Sequence, residues 1–186
     1  MKIPVVGFDP SMTGWGIAES DLDLTTGYLD TPQIQILEPE KLTNKQVRVN
    51  SVDLDVAEQL AREAVAAASR AKAIFVEVPV GSQSAAAMKS YGMCVGILGS
   101  MRSQGIQLIE VTAAEVKKAL TGLKWATKRE MIAKAMALYP DARWPTYKKA
   151  GKMEVANKAE HAADAIGAIH AGVNTPMFQN LMRLYK

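Results

Sequence analysis

Three short apolar runs along the chain predict buried β-strands. They cover residues 3–8, 73–79 and 106–111, and each is rich in β-branched or other apolar side chains. The last two are separated from each other and from the first by longer segments with helical patterns. Strands that alternate with helices are typical of an α/β fold with parallel strands.

The first run continues into a predicted hairpin. Asp9 follows the strand, Pro10 and Gly14 form the turn, and residues 15–18 begin the return strand. Farther along, residues 21–43 contain β-favouring pieces that predict a second return strand. These pieces are residues 27–29 and 33–37.

Apolar residues at helical spacing predict the helices. In residues 51–71 they recur every three or four positions, which is typical of an amphipathic helix packed on a sheet. Residues 112–120 and 127–139 each begin with a capping box, and residues 154–172 predict a long last helix. With 186 residues, 48% of them hydrophobic, we expect a single domain over residues 1–186.

The segment Ser82 to Ser103 is helix-like and apolar on nearly every side, with Gly92, Gly96 and Gly99 among its apolar residues. Apolar surface on every face needs cover on every face. This helix is therefore expected either inside the core or at the contact with a second subunit, and the pattern alone leaves both open.

Two segments predict loops. Residues 121–126 join two helices and contain Lys124 and Trp125, while Asp141 to Lys152 is rich in aromatic and basic residues. Aromatic side chains between cations can stack on nucleic-acid bases while the cations meet phosphates. A buried Trp144 that anchors the second loop is the other interpretation, and it is the commoner arrangement.

The chain is expected to be soluble and intracellular, with no membrane contact. Asp9 comes before the apolar stretch of a signal peptide could form, and residues 90–101, the longest weakly polar run, are too few to cross a bilayer. The single Cys94 cannot form an internal disulfide and lies in an apolar segment, so we interpret it as a small core residue.

Positive charge is concentrated in one part of the chain. Residues 117–158 contain 11 Lys and Arg against three acids, a net charge of +8, whereas the remainder has 11 basic and 16 acidic residues, a net charge of −5. A basic segment in an otherwise acidic chain indicates either a surface for a polyanion or a solvated helical face.

Acidic residues stand where apolar elements end. Asp9 and Glu77 each follow a predicted buried strand, at the edge of the sheet where α/β proteins bind ligands. On the last helix, His161 and Asp164 are three positions apart and therefore share a face, which Glu160 also borders. The alanines between them let this helix lie close to the sheet, bringing Asp164 towards Asp9 and Glu77.

Converging carboxylates repel each other unless a cation lies between them. Oxygen ligands favour Mg²⁺, with Mn²⁺ as a substitute, over zinc. Beside a basic surface, such a site suits phosphodiester hydrolysis by two ions about 3.5 to 4 Å apart. His161 would either bind one ion or act on the attacking water, and the sequence does not choose between these roles.

These residues resemble the RuvC-type Holliday junction resolvases of the ribonuclease H-like superfamily. The resemblance follows the family's order through residues 7–16, 74–77, 111–128 and 161–166. It implies a ribonuclease H-like mixed sheet, with an antiparallel meander of three strands followed by parallel strands and with helices on both faces.

The resemblance also implies roles for single residues. Asp9, Glu77 and Asp164 match the family's metal-binding catalytic carboxylates, and His161 matches a fourth position that holds Asp or His in different members. Two lysines match basic residues near the scissile phosphate and the DNA backbone. With their basic neighbours, the expected DNA-binding residues are Lys117, Lys118, Lys124, Lys128, Arg129, Lys148 and Lys149.

For partners, the resemblance implies a homodimer through Ser82 to Ser103 that makes paired, symmetric nicks in a four-way DNA junction, leaving 5′-phosphate and 3′-hydroxyl ends. The chain departs from the family in three places. Ser11 stands where the family usually has Gly, and residues 78–81 lack the aromatic side chain that bacterial members insert at the junction. The segment Asp141 to Lys152 is longer and more basic than the corresponding link in the family. Such divergence suits a phage or organellar protein, located in the cytoplasm or nucleoid, in a host cytoplasm or in an organelle matrix.

Three alternatives remain at this point. A nuclease of broader branched-DNA specificity, for flaps and three-way junctions, would use the same residues. A non-catalytic junction-binding protein would need the basic surface but not four potential ligands. Sugar kinases and actin-like ATPases also begin with a Gly-x-Asp hairpin, but they need a second glycine-rich phosphate loop and a second lobe, for which this chain has no room.

Overall fold

The computed structural model describes residues 1–40, 48–81 and 83–183 of the chain. Its main sheet has five strands in the order β3-β2-β1-β4-β5. The first three strands form an antiparallel meander, and β4 and β5 continue the sheet parallel to β1, as predicted. The strands are β1 (Lys2–Asp9), β2 (Trp15–Asp23), β3 (Gln33–Leu37), β4 (Ala73–Glu77) and β5 (Leu108–Val111).

Helices cover both faces of the sheet, which confirms the predicted fold class. Alternate residues of β1 point to opposite faces: Val6 packs towards α1 and α2, and Val5 packs in the core formed with the other four helices. The helices are α1 (Val49–Arg70), α2 (Ala85–Ser103), α3 (Ala113–Thr121), α4 (Lys128–Leu138), α5 (Ala159–Gly172) and α6 (Pro176–Arg183).

The prediction of a loop over Asp141 to Lys152 is wrong for the second half of that segment. Thr146–Lys149 (β6) and Lys152–Val155 (β7) pair as an antiparallel hairpin. Its turn has a left-handed backbone at Ala150 (φ 47°) and Gly151 (φ 81°). Every β6 residue is exposed, so no alternation of buried and exposed side chains reveals the strand in the sequence.

Because of this hairpin, the last long helix begins later than predicted. Glu154, the predicted first residue, belongs to β7, and α5 begins at Ala159. Trp144 lies before the hairpin, packs against the core and donates from Nε1 to the carbonyl oxygen of Tyr139 at 3.0 Å. The interpretation of Trp144 as a loop anchor is thereby supported.

Two other predicted elements differ at their ends. Ser82, the predicted start of the apolar helix, lies outside the described residues, and α2 begins after the N-cap Ser84. Thr43, the end of the predicted β region, also lies outside them, and within residues 27–29 only Leu29 forms a bridge, to Leu22. Cys94 is buried, as predicted for a core residue.

Within the described part of the chain, none of the helices combines the length and the apolar character that crossing a membrane requires.

Candidate active site

Two of the predicted site carboxylates lie at the ends of neighbouring parallel strands. Asp9 is the last residue of β1 and Glu77 is the last residue of β4. The register pairs Phe8 with Val76, so the two acids follow directly on paired residues and emerge at the same edge of the sheet. The structure therefore brings together the two acids that are 68 positions apart in the sequence.

Helix α5 crosses this edge in close contact with the first two strands. A Cβ atom added at Gly16 would lie 2.0 Å from the backbone oxygen of His161, and one added at Gly7 would lie 2.0 Å from that of Ala165. Atoms cannot approach so closely, so glycine is required at both positions. The two glycines let α5 carry His161 and Asp164 to the carboxylate edge.

His161 contacts Asp9 directly. Its Nδ1 lies 2.6 Å from Oδ2 of Asp9, and a protonated Nδ1 donates a hydrogen bond to that oxygen. Burial alone lowers the pKa of His161, but the bond to Asp9 and the neighbouring carboxylates raise it above its ordinary value overall. Its Nε2 lies 3.9 Å from Oε1 of Glu160.

The other two carboxylates are partly buried and electrically coupled. Burial, followed by the charges of Asp9 and Asp164, raises the pKa of Glu77 to about 8. Burial, then Asp9 and Glu160, raises the pKa of Asp164 to about 7. Lys117 lowers the pKa of both groups but does not cancel these effects. The edge of the metal-free protein therefore disfavours the charged forms of both carboxyl groups.

Among the described residues, no group of three or more His, Cys, Asp and Glu side chains is already arranged at metal-binding distances. The chemistry of the donors nevertheless fits a divalent cation, because carboxylate oxygens suit Mg²⁺ or Mn²⁺. A cation would also favour the charged forms of Glu77 and Asp164, whose pKa values are raised first by burial and then by the neighbouring carboxylates.

The predicted DNA-binding residues fall into separate groups. Lys117 is close enough to the carboxylates to lower the pKa of two of them, and Lys128 pairs with Glu160 at 2.7 Å. Lys118 instead lines a cavity with Ala171, and Ala171 lies about 15 Å along α5 from His161. The others are exposed: Lys124 and Arg129 lie beside the start of α4, and Lys148 and Lys149 lie on β6.

Comparison with solved structures identifies the fold. Thermus thermophilus RuvC in complex with a Holliday junction substrate superposes with a TM-score of 0.56 and 19% sequence identity, over 91% of this chain and 92% of that chain. The chain has the RuvC fold. A second structure of Thermus thermophilus RuvC gives the same TM-score at 18% identity, over 98% of this chain and 97% of that chain.

The chain is similar to RuvC in structure rather than in amino-acid sequence. No family model matches the chain. No curated protein matches it either. At such low sequence identity the likeness establishes the ribonuclease H-like fold alone.

Two features of this edge go beyond what the sequence predicts. The spacing places Glu160 only at the shared helix face, but in the structure it links the site to α4 through Lys128. The sequence indicates only a core role for Cys94, yet after burial the charge of Asp9 also raises the pKa of its thiol, to about 11. The adjacent positions of Glu160 and His161 do not indicate the contact of Glu160 with α4. Cys94 lies on α2, on the face of the sheet opposite α5, so its closeness to Asp9 cannot be seen in the sequence.

The raised pKa values predict that the metal-free protein loses stability as the pH rises. Glu77, Asp164 and His161 bind protons more tightly when folded, so their contribution to stability is present at low pH and is lost as the pH passes their folded values. In EDTA we expect the melting temperature to fall by about 5 °C or more between roughly pH 6 and pH 8.5.

Calorimetry over this pH range measures the effect. Two controls isolate the site. Saturating Mg²⁺ and the variant Glu77→Gln should each reduce the fall in melting temperature. Glu115 and Glu130, whose pKa values their capping boxes lower, affect stability only at more acidic pH. A melting temperature that is constant or rises over the range would contradict the raised pKa values of Glu77 and Asp164.

Proposed function

We propose that this protein is a metal-dependent, structure-selective DNA endonuclease that resolves four-way junctions by paired nicks. One observation carries the proposal: partly buried carboxylates from β1, β4 and α5 lie near one another at one sheet edge, and a histidine is bonded to one of them. The RuvC fold supports it, since the Thermus protein with this fold was solved with a Holliday junction substrate.

Asp9, Glu77, Asp164 and His161 would hold two Mg²⁺ ions, or Mn²⁺ in their place. When bound, the ions supply charge that offsets the carboxylates and the charge developing on the scissile phosphate. The bond between His161 and Asp9 fixes the imidazole through Nδ1, which leaves Nε2 to contact an ion or the attacking water. Lys117 supplies a fixed positive charge for the phosphate.

A cleavage assay tests the proposed function. A labelled four-way junction is incubated with the protein in Mg²⁺ and in EDTA, beside flap, three-way and linear duplex controls. Paired nicks near the crossover that require Mg²⁺ are expected. Comparable cutting of flaps would favour the broader branched-DNA nuclease, and binding without cutting in Mg²⁺ or Mn²⁺ would refute the nuclease proposal.

Lys117→Ala is expected to weaken junction binding about tenfold and to reduce the slope of log affinity against log salt by about one. The reason is that Lys117 is the cation coupled to both Glu77 and Asp164. Fluorescence anisotropy in EDTA at several salt concentrations measures both quantities.

Lys118→Ala is the matched control, because the neighbouring lysine faces the far end of α5 and should change binding less. An unchanged affinity and an unchanged salt slope for Lys117→Ala would remove Lys117 from the DNA surface.

We also propose a homodimer through α2. The three glycines of this helix are exposed, and a Cβ at Gly92, Gly96 or Gly99 would meet no atom within 4 Å. Glycine in the middle of a helix costs roughly 0.5–1 kcal/mol relative to alanine. Packing within the monomer does not require these glycines, whereas a second helix approaching this face would.

Gly96→Leu is expected to convert the dimer into a monomer while leaving the monomer folded, since its side chain would protrude from the proposed contact. Light scattering after size exclusion measures the mass. Ala137→Leu, an equally large side chain on the exposed face of α4, is the control and should leave the mass unchanged. A wild-type protein that is monomeric at micromolar concentration would contradict the dimer.

A further inference from the structure

Trp125 is the most exposed of the large hydrophobic side chains in the described part of the chain, with 89% of its surface accessible. The other two tryptophans are covered, because Trp15 is fully buried and Trp144 packs against the core. An indole offers a large apolar surface that prefers contact over water. Trp125 contributes almost none of that surface to the fold, so its contact has to be sought outside the chain.

The loop that carries Trp125 is fixed at both ends. At its start Gly122 adopts a left-handed backbone (φ 83°), and the Thr121 hydroxyl donates to the main chain of α3 and accepts from the following turn. At its end Ala126 is buried, and Thr127 caps α4. A short loop held in this way presents the indole in a defined place, which lowers the entropy cost of a contact.

This loop lies beside the carboxylate edge. Lys128, three residues after Trp125, pairs with Glu160 at 2.7 Å, and Glu160 is adjacent to His161. Three residues of chain span at most about 11 Å. A nucleic-acid strand that places a phosphate at the carboxylates and continues along the start of α4 would therefore reach Trp125 within a few nucleotides.

Cations lie on both sides of Trp125 in the sequence. Lys124 directly precedes it and Arg129 comes four positions after it; both are exposed, and neither forms an ion pair among the described residues. A flat aromatic surface between unpaired cations matches a nucleic-acid strand, whose bases stack and whose phosphates carry the negative charge. A protein partner would not need this pairing of an aromatic surface with free positive charge.

We propose that Trp125 stacks on an unpaired base of the branched DNA next to the cleavage site. This inference rests on the proposed function and names how that site selects its substrate. In an intact duplex each base is already stacked on both sides, whereas a branch point offers bases with an open face. Residues 78–81, the other loop at this edge, carry no aromatic side chain that could do the same.

Binding measured in EDTA tests the proposal without cleavage. We compare wild type, Trp125→Ala, Trp125→Phe and, as control, Leu138→Ala, which truncates another exposed apolar side chain at the far end of α4. Trp125→Ala should weaken binding of the four-way junction about tenfold, while changing binding of a linear duplex of equal length less than about twofold. Trp125→Phe should recover most of the loss, and Leu138→Ala should change nothing.

The location of the stacked base is read from a junction that carries 2-aminopurine at the crossover. Its fluorescence should be quenched on binding wild type and recover with Trp125→Ala, since stacking on the indole is removed. Each variant should keep the wild-type melting temperature, because Trp125 and Leu138 are exposed.

The other outcomes either overturn the stacking proposal or separate it from the proposed function. Equal losses on junction and duplex would mean a general DNA contact, and unchanged junction binding by Trp125→Ala would mean a different partner, such as a protein. If Trp125 supports junction binding but wild type never cuts with Mg²⁺, the proposed function fails and the stacking contact stands. If wild type binds no branched DNA, both fail.

Discussion

Asp9→Asn is expected to reduce Mg²⁺-dependent cleavage of a four-way junction by roughly a thousandfold or more. Asp9 is the acid to which the others are coupled: after burial, its charge is the next cause that raises the pKa of Glu77 and Asp164, and its Oδ2 is bonded to His161. An amide of the same shape cannot supply the negative oxygen that an ion needs. Junction binding should be unchanged or slightly tighter, since a negative charge near the phosphates is lost.

Single-turnover cleavage and anisotropy on the same preparation separate these effects. Asp21→Asn is the matched control, because Asp21 is an exposed acid on β2 paired with Pro4, far from the end of β1. Its cleavage rate should equal that of wild type. If Asp9→Asn still cuts at a comparable rate, the assigned site is wrong.

Gly16→Ala is expected to lower the unfolding free energy by about 3 kcal/mol or more, a fall in melting temperature of roughly 6–12 °C. The added methyl group would lie 2.0 Å from the backbone oxygen of His161, so α5 has to move away from the sheet. Since that movement displaces His161 and Asp164, the folded variant should also cut about a hundredfold more slowly.

Calorimetry and cleavage at a temperature where the variant is folded measure the two effects. Gly81→Ala is the control, because its methyl group would meet only the flexible end of Met88, 3.3 Å away. It should leave both quantities within error of wild type. Normal stability and activity of Gly16→Ala would contradict the close approach of α5.

The parts of the site that depend on local pattern could be predicted. Asp9 and Glu77 follow apolar runs that identify their strands, and the position of an acid after a buried strand is visible in the sequence alone. The spacing of His161 and Asp164 similarly fixes their common helix face. The antiparallel meander and parallel continuation then place Asp9 and Glu77 at one edge, as the sheet order and the register show.

The parts that depend on distant contacts could not be predicted. Gly7 and Gly16 look like ordinary strand or turn residues until α5 is seen against them. The ion pair of Lys128 with Glu160 joins helices 32 residues apart in sequence, and no local rule indicates it. Likewise, the sequence favours a buried role for Trp144 but gives no sign that Trp125 is exposed.

The hairpin of β6 and β7 could not be predicted for a different reason. Its strands carry exposed lysines rather than alternating apolar residues, so composition favours a loop. The turn is encoded by Ala150 and Gly151, of which only the glycine adopts a left-handed backbone without strain. Only the pairing of Thr146 with Val155 and of Lys149 with Lys152 identifies the strands.

The central claim is that Asp9, Glu77, Asp164 and His161 together bind divalent ions. Anomalous diffraction from crystals soaked in Mn²⁺ tests it most directly, because each bound ion appears as a peak whose neighbouring side chains can be identified. We expect two peaks, in contact with Asp9, Glu77 and Asp164, and their loss in Asp9→Asn. Peaks elsewhere, or no peak under conditions in which the protein cuts DNA with Mn²⁺, would contradict the claim.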